Sequence, residues 1–551
     1  MKKCERTLCF KVLVIWLCVF SLSMSLSLIF PYKNDIEKSQ NVDYPNISIW
    51  EEDGIPICVL EQDQKDTHIV KDGAGGAIIV WMDNRSGNYD IYAQRIDADG
   101  NIKWTENGIP VCINSYEKYQ MEVQYDNFGG AFITWAVEIG GYEDVYAQRI
   151  DGNGNLLWGS EAVPVCTDGE KQRFPTLCRD KDNGTIIAWS DWRNPSVDIY
   201  AQRLNASGDP QWNENGIIIC DAIGGQLVFD ICIDGDGGAI IVWEDQRNGL
   251  KREIYSQRIN SSGIEQWDAN GKAICTEIDN QFSPTVINNG THGAFIGWYD
   301  NRSSNYDIYV QYINSTGGIQ WKNNGTEICT EIRDQSSVLM CDDNDGGIIL
   351  AWQDERYSAG PYHYDLFTQR LNASGDIQWN DNGTAFCVHD DTKYLNSICS
   401  GGSEGVILTW EDERNEYGFD LYAQKMDNDG NILWDANGIS VCSSFSSQFD
   451  LVVCPDDTGG GFFSWMDWRY PDNDRDIYAL RFNASGSIPS IIIDNGQQKE
   501  GNNITDDDDN DNTIASGRIP AHNFFIIFAS IIGVIVAMII RTKNKKLKIF
   551  N

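Results

Sequence analysis

Short apolar segments, separated by turns rich in Gly, Asn and Asp, run through most of the chain. In the stretch 174–220, FPTLCRD (174–180), TIIAWSD (185–191), DIYAQRL (198–204) and NENGIIIC (213–220) follow one another. Ile, Val, Tyr and Trp dominate these segments, and none has the apolar period of a helix. The pattern predicts four short β-strands, of which the second is apolar at consecutive positions and therefore buried on both faces.

This four-strand unit recurs eight times. A Trp closes every second-strand segment, and consecutive Trp residues of this kind lie 54 to 58 positions apart. They are Trp81, Trp135, Trp189, Trp243, Trp298, Trp352, Trp410 and Trp465. So regular a period is typical of repeat proteins. Four short strands with a buried second strand are typical of one blade of a β-propeller.

The two ends of the repeat region are offset. A second Trp marks the fourth strand of seven repeats, but the eighth repeat has Ser490 at that position. The missing piece lies at the other end, where IWEEDGIPIC (49–58) carries Trp50 and Cys58 without preceding strands. We predict that this N-terminal strand completes the last blade, which closes the ring and leaves no long open sheet edge. The sequence thus favours an all-β, closed eight-bladed β-propeller with four-stranded blades over residues 45–495; a solenoid or two smaller propellers are the alternatives.

Two apolar segments flank the repeats. Residues 1–31 contain Lys2 and Lys3 ahead of an apolar run, which predicts a signal peptide or signal anchor. Residues 523–541 include 17 consecutive apolar or small residues and predict a C-terminal transmembrane helix, with a buried core helix as the alternative. The basic tail, 542–551, is then cytoplasmic by the positive-inside rule, and the propeller faces outside the cell membrane.

The composition is strongly acidic. The 551 residues include 81 Asp and Glu against 42 Lys and Arg, a formal net charge of −39. This excludes nucleic acid as a partner, because phosphate contacts need Lys and Arg. Residues 496–520 are polar, acidic and poor in apolar residues, so we predict a disordered stalk between the propeller and the membrane.

The repeat motifs WxDxR, DIYAQR and NGxxxC resemble the repeats of secreted β-propeller proteins of bacterial and archaeal cell surfaces. The acidic stalk, IPAHN, the apolar span and the basic tail resemble the C-terminal anchoring or sorting segments of archaeal surface proteins. The resemblance implies an exported, anchored propeller. It implies no activity, because propellers host many functions.

The WxDxR motif occurs in seven of the eight repeats. An Asp and an Arg two positions apart at a strand end can pair in one plane and cap the turn. A motif present in nearly every blade is more typical of structure than of catalysis. Examples are Trp81, Asp83 and Arg85 in the first repeat and Trp189, Asp191 and Arg193 in the third.

The turns between third and fourth strands are of two kinds. Three are acidic, and oxygen ligands at alternate positions around a Gly resemble the start of a calcium loop. Calcium is therefore the one cofactor considered, with Asp97, Asp99, Asp427 and Asp429 as candidate ligands, although tight turns also favour Asp, Asn and Gly.

The other five turns carry N-x-S/T sequences. Their asparagines are glycosylation acceptors if the chain is exported, which predicts a glycoprotein. They are Asn205, Asn260, Asn314, Asn372 and Asn483.

The chain has 16 cysteines, eight of which close fourth strands. Five more lie twelve residues later, as Cys178 follows Cys166, so disulfides between them are one interpretation. Such residues lie in the outer strand of one blade and the inner strand of the next, roughly 14 Å apart. A disulfide needs Cα atoms within about 7 Å, so buried free thiols are favoured. No C-x-x-C or paired His supports zinc.

Loops between second and third strands and loops between blades emerge on one face of a propeller, and here they vary in length and sequence. Variation on one face of a rigid ring indicates ligand recognition there, with unconstrained drift as the alternative. YSAGPYHY (357–364) is the longest and the richest in aromatic residues. The candidate contact residues are Tyr357, Tyr362, His363, Tyr364 and Tyr417.

The sequence favours recognition or adhesion, with an extracellular protein, a glycan or a neighbouring surface subunit as partner. Enzyme motifs are scarce: the chain has five His and lacks HExxH and a phosphate loop. The alternatives are an extracellular glycan hydrolase with carboxylates near the ring axis and a purely structural envelope protein.

Overall fold

The computed structural model describes residues 50–357, 363–402, 405–415, 418–469 and 474–489. They form eight four-stranded antiparallel sheets, the blades of a β-propeller, as the sequence predicted. The predicted signal segment, stalk, transmembrane helix and tail lie outside the described residues. No helix in the described part is long and apolar enough to cross a membrane.

The strands are numbered along the chain. The last blade takes β1, and blades 1 to 4 follow: β1 (Ile55–Cys58), β2 (Gln64–Lys71), β3 (Ala77–Asp83), β4 (Asp90–Ile96), β5 (Ile109–Cys112), β6 (Lys118–Tyr125), β7 (Ala131–Ile139), β8 (Tyr142–Ile150), β9 (Val163–Cys166), β10 (Gln172–Arg179), β11 (Thr185–Asp191), β12 (Asp198–Leu204), β13 (Ile217–Cys220), β14 (Gln226–Ile233), β15 (Ala239–Asp245), β16 (Glu253–Ile259) and β17 (Lys272–Cys275). Blades 5 to 8 contain β18 (Gln281–Asn288), β19 (Ala294–Asp300), β20 (Asp307–Ile313), β21 (Thr326–Cys329), β22 (Gln335–Asp342), β23 (Ile348–Asp354), β24 (Asp365–Leu371), β25 (Thr384–Cys387), β26 (Lys393–Ser400), β27 (Val406–Asp412), β28 (Asp420–Met426), β29 (Ile439–Cys442), β30 (Gln448–Pro455), β31 (Gly461–Asp467) and β32 (Asp476–Phe482).

Blade 3 shows how closely the pattern predicted the strands. Its second and third strands, β11 and β12, have the predicted bounds, and every residue of β11 is buried. The fourth strand is shorter than predicted and begins at Ile217. The reason is a turn at Asn215 and Gly216, whose φ angles are 58° and 87°. A Cβ on Gly216 would lie 2.5 Å from the Trp189 ring, so only Gly fits.

The ring is closed by the N-terminal strand, as predicted. β1 pairs with β32 in the order β1-β32-β31-β30, with Ile55 opposite Ala479. Trp50 Nε1 and Arg481 Nη1 both donate to Ala98 O of blade 1, at 2.9 and 3.0 Å. The first and last segments therefore share one sheet, which in turn contacts blade 1.

Neighbouring blades are joined by an Arg and a Trp that donate to one backbone carbonyl. In blade 3, Arg203 Nε lies 2.7 Å from the buried carboxylate of Asp180. Its Nη1 donates to Ser261 O of blade 4 at 3.1 Å, and Trp212 Nε1 donates to the same oxygen at 3.2 Å. The Asp holds the Arg in position, and the Arg reaches the next blade.

Two blades replace both members of this Asp–Arg pair together. Blade 5 has Asn289 and Tyr312, and Asn289 Nδ2 donates to the Tyr312 hydroxyl at 2.7 Å. Blade 7 has Gly401 and Lys425, whose Nζ donates to Gly459 O of blade 8 at 2.7 Å. The pair thus behaves as one unit within each blade.

The WxDxR residues form a largely buried cluster in each of the seven blades that carry the motif. Trp189 Nε1 donates to Asp191 Oδ2 at 2.8 Å, and Arg193 Nε donates to Asp191 Oδ1 at 2.9 Å. The Arg193 guanidinium also lies 3.9 Å from the Tyr200 ring centroid and contacts Cys166 Sγ. The equivalent residues in blade 1 are Trp81, Asp83 and Arg85.

The thirteen described cysteines are free thiols, as the strand spacing favoured. Twelve of them are buried. Burial raises the pKa of Cys112 to about 11 and that of Cys166 to about 12. These thiols therefore remain protonated near neutral pH and pack as small apolar side chains.

Candidate functional site

The innermost strands of the eight blades line the central channel. Their first residue is always a buried Gln or Lys, whereas the second varies among six residue types. The second residues are Lys65, Tyr119, Arg173, Leu227, Phe282, Ser336, Tyr394 and Phe449. A β-bulge follows, and in six blades its first residue has a left-handed φ, for example 54° at Phe174. Left-handed non-Gly residues are uncommon and cluster at functional sites.

Five aromatic side chains from blades 6, 7 and 8 form a continuous line on the loop face, the face that carries the loops between blades. This aromatic row consists of Tyr364, Tyr394, Phe419, Phe449 and Trp468. Ring centroids of consecutive members are 5.9, 5.7, 5.5 and 5.3 Å apart. All five rings are partly exposed, and Trp468 exposes 40% of its surface. Apolar strips left in solvent on a rigid scaffold are typical of binding sites.

The side of the mouth formed by blades 1 to 3 is charged instead. Lys65 Nζ lies 3.6 Å from the Tyr89 ring centroid, and the Tyr89 hydroxyl donates to Asp63 at 3.1 Å. Arg173 Nε donates to Glu143 at 2.7 Å. These charges therefore pair with one another. Blade 5 carries a second, smaller aromatic group of Phe282, Tyr299 and Tyr306, so the aromatic row is the longer of two apolar parts of the mouth.

A cavity of about 470 Å³ opens from the channel between blades 1 to 4. Its wall includes Phe174, which exposes 45% of its surface, and the side chains of Asp66, His68 and Glu122. His68 Nε2 lies 3.5 Å from Asp66 Oδ1. The Glu122 carboxylate accepts no hydrogen bond from any residue that the structure describes. This axial cavity therefore combines an exposed ring with an unbonded carboxylate.

The surroundings of the cavity shift the pKa values of Glu122 and His68. Burial within the channel raises the pKa of Glu122, against the opposing charge of His68. Burial alone would lower the pKa of His68, but the Asp66 carboxylate and the charges of Glu122 and Asp450 raise it. Both shifts favour protonation, which is typical of groups that donate protons or bind ligand atoms.

A buried acid lies at or near the start of the third strand of every blade, beside the first residue of the next inner strand. In two blades that residue is Lys. In one of them, Lys393 Nζ lies 3.0 Å from the carboxylate of Asp365. In the other six it is Gln, whose Oε1 is buried without a hydrogen-bond partner in the described chain. Gln64 is one of these: its N–H donates to Arg475 O, the residue before Asp476. Burial and the charge of Asp467 raise the pKa of Asp476 to about 7.

We expect Asp476→Asn to stabilise the protein increasingly as the pH rises. A carboxyl whose pKa is raised on folding favours the folded state below its unfolded pKa and loses that contribution as the pH rises through the folded pKa, here about 7. Asn resembles the protonated acid in shape and stays uncharged at every pH. Thermal unfolding of both proteins from about pH 5 to pH 8 should show a difference in stability that widens by roughly 2–3 kcal/mol. A difference that does not change with pH would contradict this; Glu214→Gln, at an exposed turn, is the control.

The structure places the predicted contact residues at different points of the loop face. Tyr364 belongs to the aromatic row. Tyr357 exposes 65% of its surface, and His363 is exposed beside the loop. Tyr362 and Tyr417 lie outside the described residues. A binding role for these side chains stays a prediction.

Four residues of the aromatic row were not predicted: Tyr394, Phe419, Phe449 and Trp468. Each lies in or next to a strand rather than in a long loop, so loop length does not reveal it. The available signal was the second residue of the inner strand, which varies from repeat to repeat inside an otherwise regular segment. In an alignment of the repeats, this variable column would have identified Tyr394 and Phe449.

In the acidic turns proposed for calcium, the first Asp accepts hydrogen bonds from backbone N–H groups of the same turn. Asp97 Oδ1 accepts the N–H groups of Asp99 and Asn101 at 3.1 and 2.9 Å, and Asp427 Oδ1 makes the equivalent bonds to Asp429 and Asn431. These carboxylates therefore serve the turns; calcium binding there stays a prediction.

The asparagines of the N-x-S/T turns occupy the position that the first Asp holds in the acidic turns. Asn314 Oδ1 accepts the Thr316 N–H at 3.0 Å and its hydroxyl at 2.9 Å. In Asn205, by contrast, Nδ2 donates to Asp209 at 3.1 Å. Glycosylation at these turns stays a prediction.

Cys387, His389 and Asp412 are the one group in the described residues that could hold a metal ion. His389 Nε2 lies 3.1 Å from Asp412 Oδ2. However, Arg414 Nη2 lies between the would-be ligands, 2.5 Å from Asp412 Oδ2 and 3.6 Å from Cys387 Sγ. A guanidinium in that place repels a metal cation, so His389 is better explained as a further hydrogen-bond partner of Asp412.

No protein-family model matches the chain, and no curated protein matches it. Solved structures resemble it at low identity. An ulvan lyase of polysaccharide lyase family 25 is 10% identical with a TM-score of 0.40, over 65% of this chain and 90% of the lyase. An α-L-arabinanase of Penicillium chrysogenum is 11% identical with a TM-score of 0.33, over 57% and 93%. A putative TolB of Agrobacterium tumefaciens is 13% identical with a TM-score of 0.29, over 69% and 93%. At these values the likeness carries no functional argument.

Proposed function

We propose that the protein recognises an extracellular protein or glycan on the loop face of its propeller. The observation that supports this is the aromatic row, which leaves five partly exposed rings in line at the mouth of the channel. Aromatic side chains held in place by a rigid scaffold bind ligands at a small cost in conformational entropy. A purely structural ring has no use for such a strip.

The proposal includes an anchor. The apolar run at 523–541 and the basic tail at 542–551 support a single span with the tail in the cytoplasm, while residues 1–31 support export. Protease added to intact cells should then digest the propeller and spare an epitope placed on the tail. Digestion that requires broken cells would refute export.

Recognition is tested with full-length protein purified in detergent, applied to arrays of glycans and extracellular proteins. We expect saturable binding without turnover, lost when Phe449 and Trp468 are both changed to Ala. The matched control is Phe128→Ala, which removes an aromatic ring that is 62% exposed on the opposite face. Loss of binding in the control alone would place the ligand on the wrong face, and no binding at all would favour the structural alternative.

A glycan hydrolase is the second candidate, favoured by the axial cavity. Glu122 is an unbonded carboxyl with a raised pKa beside His68, which suits a general acid. A panel of fluorogenic glycosides tests this. Turnover that Glu122→Gln abolishes, with its alkaline limb set by a raised carboxyl pKa, would support the hydrolase; absence of turnover across the panel would leave recognition alone.

A further inference from the structure

We propose that the aromatic row binds an uncharged glycan in extended form, an inference that rests on the recognition function above. The juxtaposition that carries it is a line of rings drawn from three consecutive blades. Nothing in the repeat itself requires it, because the equivalent inner-strand positions in blades 1 to 3 carry Lys65, Tyr119 and Arg173.

The arrangement of the five rings indicates the shape of the ligand. Each ring of the row contacts the next, and consecutive planes are inclined by 59°, 60°, 56° and 70°. The described residues show no contact that folds the row back on itself. A cage for a single cationic group would gather its rings around one point. A line of rings instead fits a polymer that lies along it.

The side chains around the aromatic row carry negative rather than positive charge. Glu413 is exposed beside Tyr394, Asp450 is exposed after Phe449, and Glu411 lies beneath them. Lys393, the adjacent cation, is buried and paired with Asp365. The row therefore offers no free cation for a uronate or a sulfate, and the net charge of −39 repels anionic polymers as a whole.

The polar groups of the aromatic row suit a glycan better than a basic peptide. Glu411 is buried and already accepts hydrogen bonds from Asn396 Nδ2 at 3.0 Å and from the Asp450 N–H at 2.9 Å. Glu411 is thus not available to a lysine, and the poly-lysine probe described below tests pairing with the exposed Glu413 and Asp450. The Tyr394 hydroxyl has no hydrogen-bond partner in the described chain and is free to bond a ligand hydroxyl. Apolar ring faces with single polar groups at their edges suit the C–H faces and hydroxyl rims of sugars.

The test uses the full chain in detergent and four soluble neutral polysaccharides: mannan, dextran, xyloglucan and hydroxyethyl-cellulose. Alginate serves as the acidic probe and poly-lysine as the basic one. We expect at least one neutral polymer to bind, with an affinity that changes little between low and high salt. Phe419→Ala and Tyr394→Ala should each weaken binding at least tenfold, and Tyr394→Phe, which removes only the hydroxyl, severalfold.

The matched control is Tyr119→Ala, which truncates the same inner-strand position in blade 2. It should leave binding unchanged, and unfolding temperatures of all variants are compared so that a folding defect is not mistaken for lost contact. Binding of poly-lysine or alginate alone, lost in the row variants, would overturn the neutral glycan but preserve recognition on the loop face. Equal losses in Tyr119→Ala, or no binding of any probe, would also overturn the neutral glycan. A protein ligand that binds on the array and is lost in the row variants would still preserve recognition on the loop face.

Discussion

Deletion of residues 50–62 should abolish the folded ring. The deletion removes β1 and with it the buried side chains of Trp50, Ile55, Ile57 and Cys58. Burial of one such side chain stabilises by roughly 1.5–3 kcal/mol, so the four together approach the net stability of a whole domain. It also leaves β32 as an open edge that can pair with other chains. We expect insoluble protein, or loss of the cooperative thermal transition measured by circular dichroism.

The control is deletion of residues 36–48, a segment of equal length that lies outside the described residues. It should unfold at the temperature of the unaltered protein. A soluble deletion of 50–62 with an unchanged transition would show that blade 8 is stable with three strands, contrary to the pairing of β1 with β32.

The second large effect is expected at the buried carboxylates of the WxDxR clusters. Asp191→Ala should destabilise the protein by about 3–5 kcal/mol, because it leaves the Arg193 guanidinium half-buried without its counter-charge. It also removes the acceptor of Trp189 Nε1. Urea denaturation followed by Trp fluorescence measures the loss.

Asp182→Ala is the matched control in the same blade. Asp182 also pairs with an arginine, Arg203, at 2.7 Å, but its side chain is 62% exposed. Exposed pairs contribute less than about 1 kcal/mol, so the control should stay close to the parent. Equal losses in the two variants would contradict the role assigned to Asp191. A second substitution, Arg193→Met, should recover part of the stability lost in Asp191→Ala.

Much of the fold could be predicted from the sequence because every blade packs its core with the same residue types. The buried second strand repeats its apolar run, and the Trp that closes it packs under the turn at Gly216 and its equivalents. The offset of Trp50 and Cys58 predicted the closure of the ring for a similar reason. A single strand with no partner strand next to it in sequence has to pair with a strand that is distant in sequence.

The mouth of the channel could not be derived in the same way. Tyr364 and Tyr394 lie 30 positions apart, and Phe419 and Phe449 again 30, so the row arises only when three blades stand side by side. The bulges of the inner strands, such as that between Arg173 and Thr176, also leave no mark in the apolar pattern. They decide which inner residues point to the axis, and hence where His68 and Glu122 meet.

The bonds between blades have a consequence for how such a chain can grow. Asp180 and Arg203 belong to one blade, and the Arg ends on a main-chain oxygen of the next, Ser261. Every amino acid supplies that oxygen, so a duplicated blade brings its own connector and can be inserted before any other blade. Blade 5 shows the same independence. There Asn289 and Tyr312 replace the Asp and the Arg of the pair, and this replacement required no change in the neighbouring blades. Diversification of the mouth and multiplication of the blades can therefore proceed separately in evolution.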